Sequence, residues 1–336
     1  MRRFWRNRLC LMLGLTLLFG AAASALPDVP YQRWQLLDGT IHANARWIYE
    51  RIHFDPTPID VAFVGPSRLT QGVNAVQLGQ ELAARGLPSH VVNFGLPENG
   101  RNINALIVHE LLKTRRPKLI VVGVIEKPSR FGHSAYKYIA PAADIVDPGY
   151  IGDLNCFSDL IYLPFRQLEL FAARFFPDLF GLSLHFDPSQ YRGSVVDTTG
   201  DVILPDGRIK NGTKPGGLKE LHRGVTKLER SNNPPILPDR YRDLEFGDER
   251  HFIREIAKEA QAKGVQVAFL SLPYYTGPSA LQEGALYAQF GPIWAANRFS
   301  RRSDLYADYG HLTAHGASIL TNQLVGPVSA LLRKAK

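Results

Sequence analysis

Three short apolar runs, separated by two stretches at helical spacing, constrain this chain more than any other feature. Ile59-Asp60-Val61-Ala62-Phe63-Val64 is β-branched and apolar, and Gly65-Pro66-Ser67 breaks it. Val73, Val76 and Leu82 give residues 72–86 a helical period, with Gly86 placed as a C-cap. His90-Val91-Val92-Asn93-Phe94 reads as a second strand, closed by Gly95 and Pro97. Ile103, Leu106, Ile107 and Leu111 then put one apolar face on a helix over 102–116, and Pro117 stops it. Leu119 to Ile125 is apolar throughout. Strands that are apolar on both faces belong in a parallel sheet covered by helices on either side. The expected fold is a flavodoxin-like, three-layer α/β sandwich. In such sheets ligands sit outside the carboxyl ends of the strands. Ser67, the Gly95–Gly100 loop and the stretch Glu126–His133 all fall at that edge.

The same grammar returns near residue 248. A helix over 249–264, a strand over 265–270, a loop over 271–297 and a last helix over 314–333 complete the core. Between 135 and 247 the period is lost, and aromatics, Pro and Gly accumulate. That stretch reads as an inserted cap, part helix and part loop, placed to cover the site. Residues 26–58 form a lead-in with an amphipathic stretch from Tyr31 to His53. The expected division is therefore 1–25, 26–58, a core of 59–134 and 248–336, and a cap of 135–247. A chain of 336 residues with 45% hydrophobic content is large enough for one core with a sizeable insertion.

The first 25 residues differ from the rest. Arg2, Arg3, Arg6 and Arg8 precede an apolar run from Leu9 to Phe19, and Ala23-Ser24-Ala25 offers a small-x-small cleavage site. This is the layout of a secretory signal peptide. Counted through Ala25, the run also approaches the length of about 20 residues that a membrane span needs. The expected location is outside the cytoplasm, either periplasmic or held to the inner membrane by an uncleaved N-terminus. The net charge is +8, and removing those four arginines leaves +4. That mild excess, without a basic stripe interleaved with aromatics, gives no reason to expect nucleic acid. Cys10 lies in the export segment and Cys156 would be alone after it, so neither an internal disulfide nor a cysteine-based metal site is expected. No Walker loop and no dinucleotide fingerprint occurs, and no cofactor or metal is expected.

Chemistry is concentrated in two places. Ser67, in Gly65-Pro66-Ser67-Arg68, directly follows a buried strand and opens a helix. Backbone N–H groups and the helix dipole face the same space there, which suits a developing oxyanion. A serine at such a turn also serves as a simple N-cap. Near the other end, Asp308 and His311 lie three apart before the last helix. A carboxylate at that spacing fixes the imidazole tautomer and leaves the other nitrogen to accept a serine proton. His315 lies close by but lacks an Asp three residues before it. His133 reads as a polar surface residue of a loop, Arg68 as a surface arginine or a source of charge beside the serine, and Glu126 and Asp60 as structural.

Taken together, Gly65-Pro66-Ser67 early in the chain and Asp308-Tyr309-Gly310-His311 before a final helix resemble the SGNH (GDSL-like) hydrolase superfamily. Asn93-Phe94-Gly95 matches the start of that superfamily's second block. The resemblance covers about residues 59–130 and 248–330. It implies Ser67 as nucleophile, His311 as base and then acid, and Asp308 as the residue that orients His311. It also implies an oxyanion hole from the N–H groups of Ser67 and of Gly95 or Gly100, with Asn93 and Arg68 around it. One block departs: where the superfamily carries Gly-x-Asn-Asp, this chain has Gly123-Val124-Ile125-Glu126. The relatives that share this loss include SGNH-like proteins of exopolysaccharide clusters, similar to the alginate O-acetylation proteins. The expected activity is therefore that of an exported esterase or O-acyltransferase on an acylated polysaccharide, with a membrane acyl-donor protein as possible partner. The alternative is a non-catalytic polysaccharide-binding scaffold that keeps the fold.

Overall fold

The computed structural model describes residues 2–125, 129–203, 209–210, 212–231, 235–277 and 281–334. Strands β1 (Val61–Val64), β2 (Val91–Asn93), β3 (Leu119–Gly123), β6 (Gln266–Ser271) and β7 (Ile293–Ala295) form one sheet. Strands β4 (Val202–Ile203) and β5 (Ile209–Lys210) make a separate two-stranded antiparallel ribbon. The large sheet is parallel throughout, in the order β2-β1-β3-β6-β7. Val61 pairs with Val91 on one side and Leu119 on the other, and Leu119 pairs in turn with Gln266.

Alternation along each strand feeds two cores. Ala62, Val64, Val92, Ile120, Val122 and Phe269 point to one face, where the lead-in helices Pro30–Gln35 and Asn44–His53 pack together with Arg101–Thr114 and Gly247–Ala262. Val61, Phe63, Val91, Val121 and Leu270 point to the other, covered by Ser67–Gly72, Ala75–Ala83 and the last helix, Ala314–Lys334. The result is a helix–sheet–helix sandwich. Burial of β1 and β3 on both faces explains why their sequences are apolar runs rather than alternating ones.

Two expectations need correction. The helix expected over 72–86 is split in two. Val73 is extended, and Asn74 restarts the helix by accepting the N–H of Gln77 at 2.9 Å. Within the loop expected over 271–297, Ile293–Ala295 adds a fifth strand at the sheet edge. Three half-exposed residues are too few to show a period in sequence.

The strand order reverses between β1 and β3. From β1 the chain crosses to β2 on one side and then returns past β1 to β3 on the other. Such a point opens a crevice beyond the carboxyl ends of the strands, and Ser67 follows the end of β1. The two strand ends approach closely: a Cβ on Gly65 would lie 3.1 Å from the backbone of Gly123. A side chain at 65 would push these strand ends apart by a few tenths of an ångström on the approach to the serine.

Candidate active site

Pro66 is extended, and a helix begins at the next residue, Ser67. The first N–H groups of a helix have no intrahelical acceptor, so this turn presents donors beside the serine hydroxyl. Asn93, fully buried at the end of β2, holds the turn in place. Its amide nitrogen donates to the carbonyls of Leu69 and Val73, both at 3.0 Å, and more weakly to Thr70. Those carbonyls lie at the end of the six-residue helix, so the amide ties that end to β2.

The second half of the site is a tight loop before the last helix. Ala307 N–H donates to the carbonyl of His311 at 2.9 Å, and Tyr306 bridges to Leu312. Inside this loop one carboxylate oxygen of Asp308 accepts the N–H groups of Gly310 and His311, each at 2.9 Å, which is an Asx-turn. The Asp308 carboxylate also meets His311 Nδ1, at 2.8 and 3.0 Å to its two oxygens. His311 Nε2 lies 2.8 Å from Ser67 Oγ, across 244 residues of sequence. The three predicted residues thus form one chain of hydrogen bonds. The serine is half-buried, and the Asp308 and His311 side chains are partly open to solvent.

Arg68 differs from a surface arginine. It is buried, donates to the carbonyl of Leu272, and lays its guanidinium over the Tyr274 ring at 4.0 Å. Tyr274 in turn stacks on Tyr309. Burial and the neighbouring Asp308 carboxylate push the Tyr309 phenol up, so it stays neutral. Tyr274 and Tyr309 were not singled out from sequence. The available signals were a tyrosine inside the Asp308–His311 block and another just beyond the carboxyl end of β6.

The remaining expected residues separate. Gly95 N–H donates to Asn93 Oδ1 at 3.1 Å, so it is already engaged, and its Cα is crowded by Thr70. Asn93 itself is turned into the protein and braces the serine turn instead of lining the crevice. Gly100 opens the helix Arg101–Thr114 with φ +146°, and a Cβ there would fall 2.2 Å from the backbone nitrogen of His133. Only glycine fits both constraints. His133 is buried, contrary to the surface reading. Its Nδ1 accepts the N–H of Ala135 and its Nε2 faces the carbonyl of Pro97 at 2.5 Å. Burial and neighbouring His42 lower its pKa to about 3, so it packs as a neutral ring that fixes the loop. Asp60 bonds to His90 at the opposite end of the strands, and His315 is exposed. Glu126 lies outside the described residues.

The described residues contain one cluster with metal-ligand atoms close together, His42, Glu98 and His133, within 4.8 Å of one another. Both ring nitrogens of His133 are already bonded, and Glu98 takes the Ser134 hydroxyl. Two remaining ligands are too few for a zinc-type site. His311 and His315 also stand four apart, a spacing that suits metal pairs on helices. His311, however, precedes the helix starting at Ala314, and both its nitrogens face Ser67 and Asp308.

The insertion reaches this crevice. Thr198 donates to the Thr70 carbonyl at 2.6 Å, Gly216 N–H to Tyr306 at 2.8 Å, and the Gly212 carbonyl accepts Ala314 N–H at 2.8 Å. The helix Leu218–Ser231 brings Gly224 against the Tyr309 ring and His222 edge-on to Tyr275. A cavity of about 480 Å³ opens elsewhere, between the helices Arg101–Thr114 and Gly247–Ala262. None of Ser67, Asp308 and His311 lines it. Compared with protein-family models and with curated proteins, the chain matches none.

Proposed function

We propose that this protein is an exported serine esterase or O-acyltransferase of the SGNH type, acting on acyl esters, chiefly acetyl, of a cell-envelope or secreted polysaccharide. The observation that carries the reading is the Ser67–His311–Asp308 chain at 2.8 Å per link. In the proposed reaction Ser67 Oγ attacks the ester carbonyl while His311 Nε2 takes its proton. Asp308 holds the opposite N–H of the ring and stabilises the imidazolium. The tetrahedral intermediate collapses, and His311 returns the proton to the departing alkoxide, leaving an acyl-Ser67. Water or a sugar hydroxyl, deprotonated by the same ring, then takes the acyl group. The oxyanion would be met by the Ser67 N–H and by the Gly100 region, since the Gly95 N–H is engaged. A missing donor in such a hole costs about 2.7–4 kcal/mol of barrier, so turnover with water is expected to be slow. The apolar N-terminal helix supports export, by a cleaved signal or a retained anchor.

The loss of the block-three Asn favours a second reading, a polysaccharide-binding scaffold without turnover. The test is incubation with 4-nitrophenyl acetate, with and without oligosaccharide acceptors. Nitrophenol release with an acetyl adduct on Ser67 is expected, and acetylated acceptor would identify the transferase. Saturable oligosaccharide binding that survives Ser67→Ala, with no adduct on the wild type, would replace the enzyme by the scaffold.

A further inference from the structure

The cap contains a helix that is apolar on its outer face as well as its inner one. Cys156–Ala173 buries Leu163, Leu170 and Ala173 together with Asp159, Arg166 and Gln167 against the protein, and turns Phe157, Ile161 and Phe165 outward, 74%, 54% and 65% exposed. The stripe runs at i, i+4, i+8 and continues through Leu168 to Phe176 and Leu179, the last 80% exposed. Arg166 and Gln167 are tied to the protein's backbone, which fixes the orientation. Arg166 donates to the carbonyls of Lys137 and Ala140 at 2.8 and 2.7 Å. Gln167 donates to the carbonyl of Leu26 at 2.6 Å. Contiguous apolar surface of this kind is uncommon on a soluble monomer, and it marks a contact with something other than water.

The neighbour of this face identifies the occupant. The N-terminal helix Arg2–Ser24 contains an apolar stretch, Asn7–Ser24, long enough to cross a membrane. Its far end is docked on the helix Cys156–Ala173: Gly20 lies against Pro164, Ala23 is buried, and Leu26 takes the Gln167 bond. Trp5 and residues 7–19 of it are exposed. A span entering a bilayer at residues 20–24 would bring the apolar stripe to the same surface. Interfacial helices lie in this way, with their apolar face about 5–10 Å into the headgroup boundary.

We propose that the helix Cys156–Ala173 and the following segment to Phe180 lie on the lipid bilayer, apolar face inserted, as a second membrane contact beside the N-terminal helix. The inference rests on the reading of that helix as membrane-entering. The protein is thereby held against the membrane surface at two points.

The test uses the full chain, with Cys10 and Cys156 replaced by Ala, reconstituted in phosphatidylcholine vesicles. An environment-sensitive fluorophore is placed singly by Phe165→Cys, Phe176→Cys, Leu13→Cys or Ala330→Cys. Ala330 is exposed on the last helix, across the sheet from the helix Cys156–Ala173. The proposal predicts blue-shifted emission at 165 and 176, mostly lost with doxyl-labelled lipid and protected from iodide, while 330 stays iodide-accessible and unaffected by the lipid quencher. Quenching by lipid at 13 but not at 165 and 176 would overturn it. Protection from iodide at 165 and 176 without lipid quenching would overturn it too, in favour of a second copy of this chain. Lipid quenching at 165 and 176 without quenching at 13 would uphold the membrane face while removing the N-terminal helix as a span.

Discussion

The helices Gly247–Ala262 and Cys156–Ala173 are of similar length and each buries one face, yet their outer faces differ. The first buries Phe252, Ile253, Ile256 and Ala260 against the sheet. Its buried Glu249 pairs with Arg101, whose guanidinium also donates to the carbonyl of Gly123 at 2.9 Å, at the end of β3. The second buries Leu163, Leu170 and Ala173 together with Asp159, Arg166 and Gln167, and leaves Phe157, Ile161 and Phe165 exposed. Periodicity reports that a helix has a buried side. It does not report what the other side meets, because that depends on what the helix is placed beside. The outer face of the first carries the exposed Glu255 and Lys258; the outer face of the second meets, by the proposal above, lipid.

That contrast predicts that the core side of the molecule responds to loss of chemistry and the cap side to changes of medium. The largest effect is expected at the serine. Ser67→Ala should lower ester turnover by about 10⁴–10⁶-fold without changing the thermal midpoint, measured by 4-nitrophenyl acetate hydrolysis and calorimetry. A fall below tenfold would detach the chemistry from this edge of the sheet. Asp308→Asn should reduce turnover by about 10⁴-fold, because the amide favours the wrong imidazole tautomer. Retention of wild-type rate in that variant would show that His311 needs no orienting carboxylate.

In the core helix, Arg101→Met should cost about 3–5 kcal/mol in urea unfolding, since it strands the buried Glu249 carboxylate. A loss under about 1 kcal/mol would mean that the pair is not what ties this helix to β3.

The smallest expected effect lies in the cap. Burial, and then the nearby Asp153 charge, raise Asp159 to about 6. A carboxyl with a raised folded-state pKa binds its proton more tightly in the folded than in the unfolded chain. Its contribution to stability is therefore lost as pH rises from about 4 to about 6, and stays lost above. Asp159→Asn should remove that part of the pH dependence and make the protein relatively more stable at pH 7, read as the difference between the two unfolding profiles. Asp248, raised by burial to about 8, should keep its own decline above pH 6 in both proteins. A variant whose profile parallels the wild type from pH 4 to 6 would mean that Asp159 titrates normally.

Much of the core was legible in the sequence, for physical reasons. β1 and β3 are buried on both sides, so they appear as unbroken apolar runs. The helices between them carry a one-sided stripe, and Gly86 marks a helix end with φ +64°. The Ser67, Asp308 and His311 placement was legible because each stands beside a strong landmark: Ser67 after a strand end, Asp308 and His311 in the turn before the last helix. The roles of Asn93, Gly95 and His133 were not, because they depend on partners chosen by the fold. Asn93 looks the same whether it faces a substrate or three carbonyls, and His133 is recognisable as a neutral packing group only once Pro97 and Ala135 stand beside it. The pairing of Arg68 with Tyr274 joins residues more than 200 positions apart and left no local trace. In the cap, aromatics were visible as composition but their outward direction was not.

The central claim is that Ser67 is an activated nucleophile. It is tested most directly by labelling the wild type, Ser67→Ala and His311→Ala with a fluorophosphonate probe and reading intact mass, with the modified peptide sequenced. The account predicts one adduct on the wild type, located at Ser67, none on Ser67→Ala, and labelling of His311→Ala slowed to near background. An unlabelled wild type, or an adduct on another residue, would contradict it.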